Sequence, residues 1–370
     1  MSDALDLFLE LAAIASPPGK EREVADRVRG YLRDLGLEVF EDAPPADGDQ
    51  AGNIFTRLTP TAPGIPVLLC AHIDTVPPTA GLEPVVEDGI VRNAQGTILG
   101  GDNKAAVASM LDAVRQIVQQ NLPHAGIELV ITVQEEVGLI GAKAFDVRRL
   151  NAKVGFVYDH ADSVGKIVTT APSQYTIRAT FTGKAAHSGI APEEGRSAVV
   201  AAAKAIAELD LGRIDRETTA NVGLIEGGVA PNIIPEHCTL SAEARSLDHD
   251  RALAQTQAML DTMAHAANAA ECELTTTVTL EYRAYKLRRG EPVVEIASRA
   301  LEAAGFVPEL ISSGGGADSH VFVAAGIPCV NLCNGMRMIH TSDEHIAVAD
   351  IDGMTRVTLE LVAAAAQMAS

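Results

Sequence analysis

GIELVITVQEEVGLIG, residues 126–141, sets an apolar run, Ile127–Val133, directly before two adjacent carboxylates, Glu135 and Glu136, and a Val-Gly turn. The run has the length of a buried strand. Neighbouring side chains of a strand point to opposite faces, so the two glutamates serve one place only where the strand has ended and Val137-Gly138 turns the chain. Ligands of open sheets gather at the carboxyl ends of strands, and this is such an end. Two solvated loop carboxylates are the common alternative for a pair taken alone.

Outward from this stretch the pattern alternates. PVLLCAHID (66–74) reads as a strand, and Asn103–Gln120 carries a helical stripe of Val107, Met110, Leu111, Val114, Ile117 and Val118. KVGFVYD (153–159) is a further strand. Such alternation predicts an α/β layer in which helices cover both faces of a sheet. Near Thr170 the character changes. SQYTIRATFTG (173–183) alternates polar and apolar residues, as do NVGLIEGG (221–228), HCTLSAEARS (237–246) and CELTTTVTLEY (272–282). Half-exposed antiparallel strands have this pattern. Helical stretches at Arg196–Leu209 and Asp248–Ala269 lie between them, and the order of strand, helix, two strands, helix, strand is that of a compact α+β unit of ferredoxin-like kind. After Lys286 the mixed pattern returns with Pro292–Ala304, VPELIS, IPCVNLC and a helix at Asp350–Met368. The expected organisation is therefore a first domain of residues 1–170 plus 286–370, interrupted by an inserted domain at 171–285.

Composition narrows the function. The chain has 370 residues, 47% of them apolar, enough for sizeable cores. A formal charge of −20 disfavours nucleic acid and anionic membrane as partners and leaves small molecules and peptides open. Asp3, Asp6 and Glu10 interrupt the apolar residues of the first helical stretch, so it reads as amphipathic rather than as an export signal. No apolar run reaches the ~18 residues a membrane helix needs. Cys70, Cys238, Cys272, Cys329 and Cys333 are scattered, a pattern of reduced thiols in a cytoplasmic chain rather than of a disulfide framework. Cys329 and Cys333 flank a stretch that reads as a buried strand rather than a metal site.

Several further residues could do chemistry. His72 and Asp74 stand two apart, so in an extended segment both leave one face, where Asp74 can accept the imidazole N–H and fix the tautomer of a metal-binding histidine. Asp102 follows Gly100-Gly101 and precedes a strong helix; an N-cap would by itself explain an Asp there, while the glycines also allow close approach of the backbone to a ligand. Asp159 ends a strand, and His340 lies in MRMIHTSDEHI. His345 is the most serious rival to His340, whereas His160 and His320 read as satisfied polar residues.

AHIDTVPP, GGDNKAAVA, QEEVGLIGAK, GKAAHSGIAPEEGRSA, SSGGGADSHVF and HTSDEHI occur in series over nearly the whole chain. On these motifs the chain resembles the co-catalytic dizinc exopeptidase family of peptidase T, carboxypeptidase G and the aminoacylases, and is most similar to its peptidase T-like branch. The resemblance implies a mixed-sheet α/β/α zinc-peptidase domain with an inserted lid and dimerisation domain. It implies two Zn²⁺ per subunit, with Co²⁺ or Mn²⁺ possible for the same N/O ligands. By the resemblance His72 and Asp159 hold one ion, Glu136 and His340 the other, and Asp102 bridges. Three carboxylates bring −3 against +4, leaving one positive charge for a bridging hydroxide. Glu135 is then free as general base, with Asp74 behind His72. In the inserted unit the resemblance assigns His187 to the substrate or oxyanion, Asn232 and Arg245 to a substrate carboxylate, and Gly314 and Gly315, with Gly316, to backbone contacts with the ligand.

The leading expectation is a cytoplasmic, homodimeric metallopeptidase that cleaves short peptides by a zinc-activated water, as a tripeptide aminopeptidase does. The alternatives are an N-acyl-amino-acid amidohydrolase or carboxypeptidase and, from another class, a catalytically silent peptide-binding scaffold. The segment HSGIAPEEGRSA departs from the pattern of peptidase T itself, which bears on the tripeptide assignment more than on hydrolysis.

Overall fold

In the computed structural model, which describes residues 3–45, 50–79 and 81–368, the run that opened the sequence forms the strand Ile127–Thr132. It lies inside a nine-stranded sheet. Parallel pairing joins Ile127–Thr132 to Val67–His72, Val67–His72 to Val154–His160, and Val154–His160 to Cys329–Cys333. Antiparallel strands flank this parallel centre: Ile54–Leu58 beside Ile127–Thr132, then Val39–Glu41, and on the other side Lys166–Ala171 beside Cys329–Cys333. The sheet is mixed, as expected.

The period of two explains why the central strands read as unbroken apolar runs. Val67, Leu69 and Ala71 enter one core, with Ile127, Leu129, Ile131, Phe156 and Tyr158, against helices Asp3–Ala12, Gly101–Gln120, Pro292–Ala303 and Val348–Gln367. Leu68 and Cys70 enter a second, smaller core with Val130, Val157, Phe145 and Phe322. Each buried Leu, Ile or Phe is worth about 1.5–3 kcal/mol over exposure, which fixes the register of strands whose both faces are covered. All five cysteines are free and buried, and Cys329 and Cys333 sit in a strand buried throughout.

The chain divides into two compact units, Met1–Thr169 with Lys286–Ser312 and Ala317–Ser370, and Thr170–Tyr285 with Ser313–Gly316. The second unit is a five-stranded antiparallel sheet, in the order Gly212–Arg213, Thr218–Gly227, His237–Ser246, Ser173–Thr182, Glu273–Tyr282. Helices Ala198–Glu208 and His249–Ala269 pack with it around Ile177, Phe181, Leu240, Met259 and Met263. Asp248 accepts hydrogen bonds from the amides of Asp250 and Arg251, so it caps the second helix instead of starting it.

Two features of the first unit went unread in the sequence. Arg22–Asp34 is helical, and Pro84–Glu87, Ile90–Asn93 and His345–Ala347 form a small three-stranded sheet. Its hairpin turns at Asp88-Gly89, both with positive φ, which is the Asp-Gly signal of a tight two-residue turn. Among the described residues no helix is long and apolar enough to cross a membrane.

Candidate active site

The parallel strands deliver their carboxyl ends to one edge of the sheet. His72 is the last residue of Val67–His72, Asp159 is the penultimate residue of Val154–His160, and Glu135 and Glu136 follow Ile127–Thr132 after Gln134, which has φ 53°. The amides of Gly138 and Leu139 return to the Glu135 carbonyl, and Gly141 N–H to Val133 O, which closes the turn. A Cβ on Gly141 would stand 2.1 Å from Val133 O, so this closure admits only glycine. Asn53 locks both sides of it, donating to Gly141 O and accepting from Val133 N–H.

Asp102 does not cap the helix it opens. Its backbone is non-helical (φ −82°, ψ 100°), and its two carboxylate oxygens diverge, Oδ1 lying 3.4 Å from His72 Nε2 and Oδ2 3.3 Å from His340 Nε2. His72 Nε2 is also 3.5 Å from Asp159 Oδ1, and His340 Nε2 is 3.1 Å from Glu136 Oε1. The structure thus brings together two trios, His72–Asp102–Asp159 and Asp102–Glu136–His340, each with the ligand spacing of a metal site and sharing one carboxylate. Glu135 forms a third grouping with His72 and Glu136. His345 belongs to none of these groups; its Nδ1 faces the Asp343 carbonyl. His160 and His320 also lie outside them.

The electrostatics of the cluster fit a cation. His72 Nε2 and Asp102 Oδ1 are buried, face each other, and have no hydrogen-bond partner, a costly arrangement that a cation between them would satisfy. Burial opposes charge on His72, yet the carboxylates of Asp102, Asp159 and Asp74 hold it well above the usual imidazole range. Asp102 and Glu136 hold His340 up to about 10. Burial pushes Asp159 up to about 7, with the charges of Asp102 and Glu136 adding to it, and raises Glu135 well above the carboxylate range. The carboxylates thus favour positive charge at both histidines, and cations of the Zn²⁺ class suit the same imidazole and carboxylate donors.

Asp74 acts somewhat differently from expectation. His72 Nδ1 lies 2.9 Å from the main-chain carbonyl of Asp74 and 3.4 Å from its carboxylate, so the main chain is the nearer acceptor. The carboxylate spans two consecutive amides, Oδ1 accepting from Glu135 N–H at 2.9 Å and Oδ2 from Glu136 N–H at 3.1 Å. One buried carboxylate therefore pins the backbone of both glutamates.

Sequence reasoning missed the residues that hold these loops. Asn331 accepts from Asp159 N–H (2.8 Å) and donates to Asp159 O (2.9 Å). Glu344, buried, accepts from the amides of Leu99, Gly100 and Asp102. Lys104 is fully buried, donates to Ile14 O, and is lowered by burial to about 7 against the pull of Glu344 and Asp74. Asp318, pushed up to about 6 by burial, accepts from Thr132 Oγ1. None announces itself locally.

In the second unit His187 and Asn232 come together on exposed loops, through a bridge between His187 and Ile233 and a hydrogen bond from Ser188 N–H to Asn232 O. Arg245 is held by Glu243 through Nε (3.1 Å) and Nη2 (2.9 Å) and donates through Nη1 to Gly314 O at 3.2 Å. Gly314 has open space where a Cβ would be, and Gly315 N–H bonds Ser313 Oγ. A Cβ on Gly316 would stand 2.4 Å from the Tyr282 ring, so packing against Tyr282 requires glycine at this position.

A mixed sheet whose carboxyl edge gathers two ligand trios around a shared carboxylate, with a further buried glutamate beside them, defines a metal-dependent hydrolase. The chain belongs to peptidase family M20/M25/M40, whose sequence model matches residues 68–364, and it is accordingly a metallopeptidase. Among solved structures it is similar to a tripeptidase of Staphylococcus aureus subsp. aureus mu50 (37% identity, 99% of this chain and 98% of that one, TM-score 0.93). It is also similar to aminopeptidase PepT of Bacillus cereus ATCC 10987 (41% identity, 99% and 98%, TM-score 0.88). The protein YqjE of Bacillus subtilis strain 168 is 40% identical over 98% of both chains. The peptidase T-like resemblance read from the motifs stands.

Proposed function

We propose that the protein is a cytoplasmic aminopeptidase of short peptides, tripeptides foremost, working with two zinc ions. His72 and Asp159 would hold one ion, Glu136 and His340 the other, and Asp102 both. The observation that carries this reading is the divergence of the Asp102 oxygens, one toward each histidine. When bound, the ions would polarise the scissile carbonyl and lower the pKa of water. Glu135 takes the proton of the attacking water on its carboxylate and passes it to the leaving amine. Its raised affinity for protons, caused by burial, suits a group that must accept a proton and then return it. Asp74 keeps Glu135 turned toward this task while Glu136 serves the ion.

Arg245, pre-oriented by Glu243, would grip a substrate carboxylate with the help of Asn232, and His187 would meet the oxyanion. The unit that carries them would act as lid and as the contact of a homodimer. Similarity to a tripeptidase and to an aminopeptidase PepT supports peptides with a free amino end as substrates. The deciding experiment is a panel of dipeptides, tripeptides and N-acetylated amino acids assayed with zinc or cobalt. Preference for free-amine tripeptides is expected; exclusive cleavage of acylated amino acids would replace this reading with an amidohydrolase.

A further inference from the structure

We propose that Glu344 is a positioning residue of the metal centre, locking the loop that carries Asp102 to the loop that carries His340. The inference rests on the metal reading above. Glu344 is 3% exposed, and its carboxylate is spent on three main-chain amides: Oε2 accepts from Leu99 (2.7 Å) and Gly100 (2.9 Å), and Oε1 from Asp102 (2.9 Å). A Cβ on Gly101 would approach Oε1 to 3.1 Å, so the loop is wrapped closely around the anion.

A helix cap would explain an acceptor near Gly101–Gln120, but the bonded amides belong to the ligand loop. Asp102 and Asn103 are non-helical, Gly100 is left-handed (φ 77°), and the amides bound are those of Asp102 itself and of the two residues before the Gly100-Gly101 pair ends. The other end of the link is equally direct. Arg337 and His345 pair through reciprocal main-chain bonds of 2.9 and 3.1 Å, which closes a loop holding both His340 and Glu344, and Glu344 N–H returns to Thr341 O within it. One carboxylate therefore sets the spacing between Asp102 Oδ2 and His340 Nε2 across a large gap in sequence. Outer groups of this kind orient metal ligands and tune the affinity for the metal.

Glu344→Gln is the discriminating substitution. It keeps size and shape, but its single oxygen can serve only one side of the set; the amide nitrogen then meets either Asp102 N–H or the Leu99 and Gly100 pair, donor against donor. The protein is freed of metal, titrated with Co²⁺, and followed by visible absorption, with steady-state kinetics of the loaded forms alongside. Wild type is expected to take up two equivalents. E344Q is expected to bind at least one ion about 10- to 100-fold more weakly, with an altered absorption band. Its kcat should fall while KM stays within about twofold, since substrate contacts are untouched. Glu344→Asp, which retains the charge at shorter reach, should recover part of the affinity, and it is read by the same criteria if E344Q does not fold. Two ions bound with wild-type affinity and spectrum, together with a lowered melting temperature alone, would reduce Glu344 to a cap and overturn the proposal. A wild type that takes up no Co²⁺ would instead refute the metal centre.

Discussion

Glu135→Gln should damage turnover and improve the fold of the metal-free protein. Glu135 is 8% exposed and lies within the field of Asp159, Asp318 and Glu136, so ionising it in the metal-free protein costs free energy. Gln has the same shape and cannot ionise. Removing a buried charge of this kind is worth about 1–3 kcal/mol, and at roughly 2–4 °C per kcal/mol for a body of this size the melting temperature should rise by several degrees. The sign with pH follows from the raised folded pKa: the penalty is absent below the ordinary carboxylate range and grows as pH rises toward the folded value. The gap between variant and wild type should therefore widen across the pH range that begins at the ordinary carboxylate values and runs upward. Turnover should fall about 10²- to 10⁴-fold, the loss expected for a general base. Thermal melts of chelated protein across that range, and peptide hydrolysis by the zinc-loaded forms, measure both. A variant that is less stable at every pH, or that still turns over within tenfold of wild type, would refute the placement of Glu135 as a buried proton carrier.

Metal affinity should rise with pH through the neutral range, because Asp159, held up to about 7, and His340, held up to about 10, must release protons to bind a cation. Each proton displaced contributes up to about tenfold per pH unit, and a calorimetric titration that shows no proton release would refute this. Asn331→Leu leaves the amide and carbonyl of Asp159 without their side-chain partner and should lower stability by about 2–4 kcal/mol, read as a shifted urea midpoint. Gly316→Ala should cost about 1–3 kcal/mol through its clash with Tyr282, whereas Gly314→Ala, with open space at its Cβ, should be close to neutral; equal melting temperatures for the two would contradict the packing.

The legible part of this protein was its periodicity. Central strands buried on both faces read as apolar runs, and the alternation of SQYTIRATFTG announced a sheet with one open face, so the mixed α/β class followed from the residues. The groups that converge at the sheet edge were legible for a related reason: His72, Glu135, Glu136 and Asp159 each end a recognisable strand, and rules of sheet topology say where such ends meet. Glu344 was illegible because nothing near it in sequence needs it. In HTSDEHI it looks like one more solvated loop carboxylate, and its three partners lie more than two hundred residues away. Asn331 hid inside an apolar strand for the same reason, its partner Asp159 being on the neighbouring strand. The helix boundary at Asp102 was misleading in the opposite direction, since an Asp before a helix has a sufficient local explanation as a cap, and only the directions of its oxygens show that it is otherwise engaged.

The grip of Asp74 on two successive amides makes the division of labour between Glu135 and Glu136 a matter of counting. Their backbones are pinned side by side, so neither can slide into the other's place, and which one stands beside His340 depends on the number of residues between Thr132 and the turn. A deletion of a single residue there would leave the cores almost untouched, yet it would carry Glu136 into the place of Glu135 and put Val137 where Glu136 now stands. Such a molecule would keep both acids and lose one of the two places they fill.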